Sequence, residues 1–265
     1  MRSQPDAAEI PTEIVPGSRG RRVALIHGFT QTRRCWGPVP EMLADHGEIV
    51  TVDAPGHGAA ANLAMDLPTA GGRYAAALGT SVLIGYSMGG RLALHAALAR
   101  PDLVAGLVLV GASPGIADDA ERGERRRADE ALAERILDIG VPAFIGEWLR
   151  NPLFAGLGPD NDQRAERLTN TAEGLASSLR LAGTGAQEPL WEMLGTITCP
   201  VLCVTGGDDV KFTTMARTMA ARFGGPCDVE VVPGAGHSVH LENPGAFAAT
   251  VTTWLSGLTG GEAVR

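Results

Sequence analysis

Three side chains able to move protons stand at comparable places along the chain: Ser87, Asp209 and His237. Each follows a short apolar run and sits among glycines. Ser87 lies in Gly85-Tyr86-Ser87-Met88-Gly89, directly after Ser81-Val-Leu-Ile84 and directly before a helix-period pattern. Strand, sharp turn and helix in that order make a nucleophile elbow, which holds a serine hydroxyl out of a strained turn. Gly85 and Gly89 suit the crowding where strand and helix meet. A serine hydroxyl is a weak nucleophile or base at neutral pH, so it needs an imidazole in reach and a carboxylate behind that imidazole. Val201-Leu-Cys-Val204 runs into Thr205-Gly-Gly-Asp-Asp209, and Val229-Glu-Val-Val232 runs into Pro233-Gly-Ala-Gly-His237. Asp209 fits the Gly-x-x-Asp spacing better than its neighbour Asp208, which could equally be a turn residue bonding local backbone.

The other histidines fit the base role less well. His27 and His57 belong to His27-Gly28-Phe29 and Asp53-Ala-Pro-Gly-His-Gly58, segments that shape loops. His95 and His240 lie in apolar contexts, where a structural or wall-lining place is expected, and His46 is expected at the surface. An anion forming near Ser87 needs preorganised donors. Met88 N–H, at the start of the elbow helix, is one candidate, and Phe29 N–H, after the first strand, is the other. Arg91 stands one helical turn beyond Ser87, near the same face. A guanidinium beside a cleft is costly unless it meets an anion, and its fork suits carboxylates.

Several elements must position these groups. Apolar runs at Val23-Ala-Leu-Ile26, Ile49-Val-Thr-Val52, Val82-Leu-Ile84, Leu107-Val-Leu-Val110, Val201–Val204 and Val229–Val232 predict strands. Helical patterns follow near Pro38 to His46, Met88 to Arg100, Thr213 to Phe223 and Pro244 to Leu255. The alternation predicts an α/β protein with a mostly parallel central sheet flanked by helices. Between Ser113 and Trp191 the strand rhythm stops, and helical patterns such as Ala128 to Ile139 and Ala143 to Arg150 take over. This predicts a helical cap over residues 113–191, inserted between strands and lying over their carboxyl ends. The core then comprises 21–112 and 192–257, with a flexible arm at 1–20, holding at most a short edge strand, and a flexible tail at 258–265. Asp66 to Gly79 is short and Gly/Ala-rich for a full crossover helix, and with Ala59-Ala60-Ala61 it predicts a remodelled loop beside the anion site.

At 265 residues the chain can bury one large core, and it is 45% hydrophobic and 20% charged. A formal net charge of −8 argues against nucleic acid as the main partner. No apolar stretch reaches membrane-span length, and residues 1–20 lack the apolar core of a signal peptide, so a cytoplasmic enzyme is expected. Cys35, Cys199, Cys203 and Cys227 are scattered without zinc spacing, which predicts reduced thiols, a disulfide being the lesser alternative. No metal and no cofactor is expected.

The segments Leu25-Ile-His-Gly-Phe29, Gly85-Tyr-Ser-Met-Gly-Gly-Arg91, Arg125-Arg-Arg-Ala-Asp129, Trp148 with Pro152-Leu-Phe154, Gly183-Thr-Gly-Ala-Gln187 and Gly236-His-Ser-Val-His240 carry a resemblance. From about Val23 to Leu255 the chain resembles the 2-succinyl-6-hydroxy-2,4-cyclohexadiene-1-carboxylate synthases of menaquinone biosynthesis, within the α/β-hydrolase superfamily. The elbow and the histidine loop are shared by that whole superfamily; the arginine after the elbow and the Gly-Thr-Gly-Ala-Gln stretch are more specific. The resemblance implies an α/β-hydrolase fold and a carbon–oxygen lyase. Such an enzyme would abstract a proton from a polycarboxylate cyclohexene, with Ser87, His237 and Asp209 as the triad, and expel pyruvate. It implies an oxyanion hole of the Phe29 and Met88 amides, and substrate contacts at Tyr86, Arg91, Arg125, Trp148 and Arg167. The partner implied is a small anionic substrate. Fold alone does not choose the reaction, so a carboxylesterase or C–C bond hydrolase using the same triad stands as the alternative. A ligand receptor that kept the fold without catalysis is a further one.

Overall fold

The structure, a computed structural model, describes residues 9–18 and 20–258. Residues 1–8 and 19 of the expected arm and 259–265 of the expected tail lie outside the described residues. Among the described residues seven strands form one sheet: β1 (Thr12–Val15), β2 (Arg22–Ile26), β3 (Glu48–Val52), β4 (Ser81–Tyr86), β5 (Val104–Val110), β6 (Val201–Gly206) and β7 (Cys227–Val232). Their order across the sheet is β1-β3-β2-β4-β5-β6-β7. Only β1 pairs antiparallel, on β3 at the edge; every other pairing is parallel. The helices are α1 (Val39–Leu43), α2 (Leu67–Leu78), α3 (Met88–Ala99), α4 (Asp119–Trp148), α5 (Arg164–Arg167), α6 (Ala172–Ala182), α7 (Val210–Ala220), α8 (Val239–Glu242) and α9 (Pro244–Gly257).

The strands are apolar on both faces because both are covered. Side chains alternate across a strand. Val23, Leu25, Val82, Ile84, Val108 and Val110 pack with Val39 and Leu43 of α1 and Phe247, Val251 and Leu255 of α9. Ala24, Ile26, Leu83, Leu107 and Leu109 face the other way, onto Tyr74 of α2, Leu92 of α3 and Met219 of α7. Parallel strands place all their carboxyl ends on one edge, so the segments leaving β2, β4, β6 and β7 emerge together. The same edge releases the segment after β5, which runs to β6 without forming a strand. Its helices have a small core of their own, with Ala133, Ile136, Phe144 and Ile145 of α4 against Leu175, Ala176 and Leu179 of α6.

Two elements depart from the sequence reading. Residues 67–78 form a full three-turn helix, α2, rather than a remodelled loop. Its glycines serve close packing: a Cβ on Gly71 would lie 2.6 Å from the His95 carbonyl carbon on α3. Asp66 caps it by accepting from Thr69 N–H at 2.9 Å, and Gly79 ends it at φ 66°. Helix α4 begins at Asp119, well before Ala128, capped by Asp118, which accepts from Glu121 N–H at 2.8 Å. The charged run there shows no apolar stripe, which is why periodicity missed it. Gly140, at φ 76°, breaks α4 just ahead of Pro142, so the two helical patterns are arms of one kinked element.

Candidate active site

Ser87 follows β4 and caps α3 with φ 51° and ψ −107°, outside the regions that side-chain-bearing residues favour. The neighbours make that turn possible only with glycine. A Cβ on Gly85 would lie 2.4 Å from the Gly89 carbonyl oxygen, and one on Gly89 would lie 2.0 Å from that of Ile26. Ser87 N–H donates to Val110 O at 2.8 Å, tying the elbow to β5. Asp209 caps α7: its Oδ1 accepts from Phe212 N–H at 3.1 Å, and its Oδ2 meets His237 Nδ1 at 2.8 Å. One carboxylate therefore starts a helix and orients an imidazole. Asp208 is exposed and its N–H bonds the Ala235 carbonyl at 3.0 Å. The geometry thus pairs Asp209, not Asp208, with the histidine. Phe212 packs on the imidazole with ring centres 4.5 Å apart, and Gly111 leaves room where a Cβ would stand 2.9 Å from His237 Cε1.

A cavity of about 680 Å³ opens above these groups. Ser87, His237, Phe29, Met88, Tyr86, Arg91, Arg125 and Trp148 all line it. Trp148 stands edge-on to Phe29 at 5.3 Å between ring centres. Tyr86 contributes ring surface, since its hydroxyl is held by Ser238 Oγ at 2.8 Å and burial pushes its pKa up. Arg167, implied as a substrate contact by the resemblance, does not line the cavity. It is 1% exposed; its Nε donates to Asp162 O at 2.8 Å and its guanidinium meets the Thr30 hydroxyl. Bonds to its own segment and to the loop carrying Phe29, rather than an approach to the cavity, use its hydrogen-bonding groups.

The loop carrying Phe29 is fixed by two histidines. His27 Nδ1 donates to Gly28 O at 2.8 Å, while its Nε2 accepts from Ala54 N–H at 3.0 Å. The Gly28 carbonyl and the Phe29 N–H belong to one trans peptide and point oppositely, so holding the carbonyl aims the N–H. His57 acts alike, with Nδ1 to Pro55 O at 3.0 Å and Nε2 accepting from Thr30 N–H at 3.2 Å. Both rings are neutral Nδ1–H tautomers, and burial lowers the His27 pKa to about 4 and the His57 pKa to about 3. Thr30 has φ 69°, a left-handed conformation that costs a β-branched residue on the order of 1–3 kcal/mol. Beside it, residues 58–60 form one 3₁₀ turn, whose Ala59 N–H donates to Asp53 Oδ2 at 3.0 Å.

The opposite wall is cationic. Arg91 is 7% exposed, yet its guanidinium has no carboxylate within ion-pair distance among the described residues. Its Nη1 donates to Gln187 Oε1 at 3.2 Å. Burial, followed by the nearby Arg125, lowers its pKa to about 10, so it remains charged at neutral pH. Arg125 is half-exposed and pairs with Asp129 Oδ1 at 2.7 Å; the other oxygen of Asp129 takes Gly185 N–H at 3.0 Å. Gln187 and Asp129 carry no catalytic signature in a sequence, and only their place within motifs around Gly183–Gln187 and Arg125–Asp129 points to them. Lys211 also lines the cavity, beside Asp209 on α7. Among the described residues, no group of three or more His, Cys, Asp or Glu side chains could hold a metal ion. A hydroxyl and an oriented imidazole lining one cavity can transfer a proton, and backbone N–H groups turned toward them would stabilise the resulting anion.

The sequence matches the model of the alpha/beta hydrolase family over residues 23–250. The chain belongs to the alpha/beta hydrolase family. Among relatives in this family, a provisionally named 2-succinyl-6-hydroxy-2,4-cyclohexadiene-1-carboxylate synthase of Bacillus subtilis (strain 168) is 37% identical, covering 89% of this chain and 90% of the relative. The 2-succinyl-6-hydroxy-2,4-cyclohexadiene-1-carboxylate synthase of Escherichia coli O1:K1 is 33% identical, covering 88% and 93%. Among solved structures, MenH from S. aureus superposes with a TM-score of 0.83 at 28% identity, over 94% of this chain and 99% of that one. An esterase from Exiguobacterium antarcticum, with TM-score 0.76 at 22% identity over 93% and 95%, shares the alpha/beta hydrolase fold. Among the described residues, no helix is long and apolar enough to cross a membrane.

Proposed function

We propose that the protein is a carbon–oxygen lyase that expels pyruvate from 2-succinyl-5-enolpyruvyl-6-hydroxy-3-cyclohexene-1-carboxylate. The observation that carries this reading is Arg91: a buried guanidinium lining the same cavity as Ser87, with an amide oxygen as its partner and, among the described residues, no carboxylate within ion-pair distance. A buried cation left so poorly compensated is stabilised when a ligand anion arrives. A simple ester gives it nothing to bind, whereas a polycarboxylate does. The names of the relatives at 33–37% identity support the same substrate class.

In this mechanism Ser87 takes the substrate proton as its own hydroxyl proton passes to His237 Nε2. Asp209 keeps the imidazole in the Nδ1–H form and stabilises the imidazolium. The negative charge left on the substrate rests on the Phe29 and Met88 amides. The carbon–oxygen bond to the enolpyruvyl group then breaks, and the departing group takes up a proton to become pyruvate. Arg91 and Arg125 bind carboxylates, while Tyr86 and Trp148 bound the ring. Residues 113–191 act as the cap that encloses this reaction, in a cytoplasmic enzyme requiring no cofactor. The test is direct: purified protein given the synthesised precursor should release one pyruvate per substrate consumed. Absence of pyruvate, with brisk hydrolysis of short p-nitrophenyl esters, would replace this reading with the hydrolase one.

A further inference from the structure

The Phe29 loop is held from below by core histidines and from above by the segment inserted between β5 and β6. The upper hold centres on Asn170, buried just after α5. Its Nδ2 donates to Thr30 O at 2.8 Å and to Arg167 O at 3.0 Å, and its Oδ1 accepts from Gly58 N–H at 2.9 Å. One amide thus joins three stretches of backbone: the Phe29–Thr30 loop, the His57–Gly58 loop and the inserted segment. With His57 on its N–H and Arg167 on its hydroxyl, every polar group of Thr30 is engaged. That set of bonds explains how a β-branched residue stays at φ 69° beside an amide that must be aimed. Thr32 adds a further tie, its hydroxyl donating to Glu166 Oε2 at 3.3 Å.

We infer that Asn170 is a positioning residue: it couples docking of the inserted segment to the geometry of the Phe29 amide, so that the anion site is complete only when that segment is seated. The inference rests on the reading of that amide as an oxyanion donor. It makes the inserted helices part of the catalytic geometry as well as a cover over it. The residue acts through Thr30 and touches no substrate, so its removal should change the rate of the chemical step rather than ligand affinity.

A serine-directed alkyl fluorophosphonate tests this without any assumption about the natural substrate. Its phosphorus bonds to Ser87 Oγ as fluoride leaves and the serine proton passes to His237, with negative charge rising on the phosphoryl oxygen. Saturation kinetics of labelling, read by intact mass and mapped to Ser87, separate the maximal rate from probe affinity. Asn170→Ala should lower the maximal rate about tenfold, less than outright loss of a donor, and leave half-saturation within about twofold. Asn170→Asp keeps an acceptor for Gly58 but loses the donor to Thr30, and it should be at least as slow. Hydrogen exchange across residues 28–33 should quicken in both variants while circular dichroism shows a folded protein. A wild-type rate in Asn170→Asp, or a loss only in proportion to unfolded protein, would overturn the proposal and leave the serine reading intact. Absence of labelling in the wild-type protein would overturn both.

Discussion

The two sides of the cavity differ in how their histidines and its lining arginine are bonded. On the Phe29 side, His27 and His57 each have both ring nitrogens bonded, and Thr30 is engaged at every polar atom. On the Arg91 side, a full positive charge is buried against one amide oxygen, and Gln187 Nε2 is left without a partner. Buried polar groups that satisfy one another rigidify a structure, while an incompletely satisfied charge is a place for something else to bind. On the function proposed above, the first side holds still and the second receives an anion, with Ser87 and His237 lining the same cavity.

The largest effect should come from the proton-transfer groups. Ser87→Ala is expected to lower turnover of the precursor by at least about 10³-fold with thermal stability unchanged, read by pyruvate release. Retention of activity would show that neither side serves this serine. Arg91→Met comes next and separates binding from stability. Replacing a buried cation whose partner is an amide oxygen by an apolar chain of similar size should leave the melting temperature unchanged or higher. The same change should cost about 1.5–3 kcal/mol in kcat/KM, roughly ten- to two-hundredfold. Dicarboxylates such as succinate should raise the melting temperature of the wild-type protein and not of this variant.

His27 and His57 have their own signature in pH. Burial holds His27 near 4 and His57 near 3, below the unfolded value of about 6.5. Between those limits the unfolded chain binds more protons than the folded one. Stability is therefore complete above about pH 6.5 and falls as pH drops toward the folded values, by up to about 1.4 kcal/mol per pH unit for each ring. Melting curves from pH 7 to 4.5 should show this loss, and a flat profile would contradict the neutral, fully bonded histidines. The smallest change is expected from Asp208→Ala, within about twofold of wild-type activity, since Asp208 is exposed and only Asp209 reaches His237.

Much of this site is legible in the sequence. The elbow, the order of serine, acid and histidine, and the strand pattern all follow from local rules: period-2 burial, glycine at crowded turns, polar residues at strand ends. The rest depends on distant partners. The Gly/Ala-rich stretch at 67–78 looks too weak for a crossover helix because its helical state rests on close packing against α3, which no local signal carries. Asn170 and Gln187 are ordinary amides until Thr30 and Arg91 come within 2.8 and 3.2 Å of them. Arg167 has the residue type and motif position of a ligand contact, but its bonds to Asp162 and Thr30 tie it to the loop and away from the cavity.

Residue order alone determined the six parallel strands, that a serine, an acid and a histidine leave them on the same side, and that an arginine follows the elbow by one turn. Those facts are local, because alternation and turn chemistry act over a few residues. Tertiary structure decided which aspartate holds the histidine and that the Arg91 guanidinium is buried against the Gln187 amide. It also decided that the inserted segment bonds the loop aiming the Phe29 amide. Each of these depends on whether a hydrogen-bonding partner arrives from more than twenty residues away, and such a bond forms only once the sheet has brought the ends of its strands together.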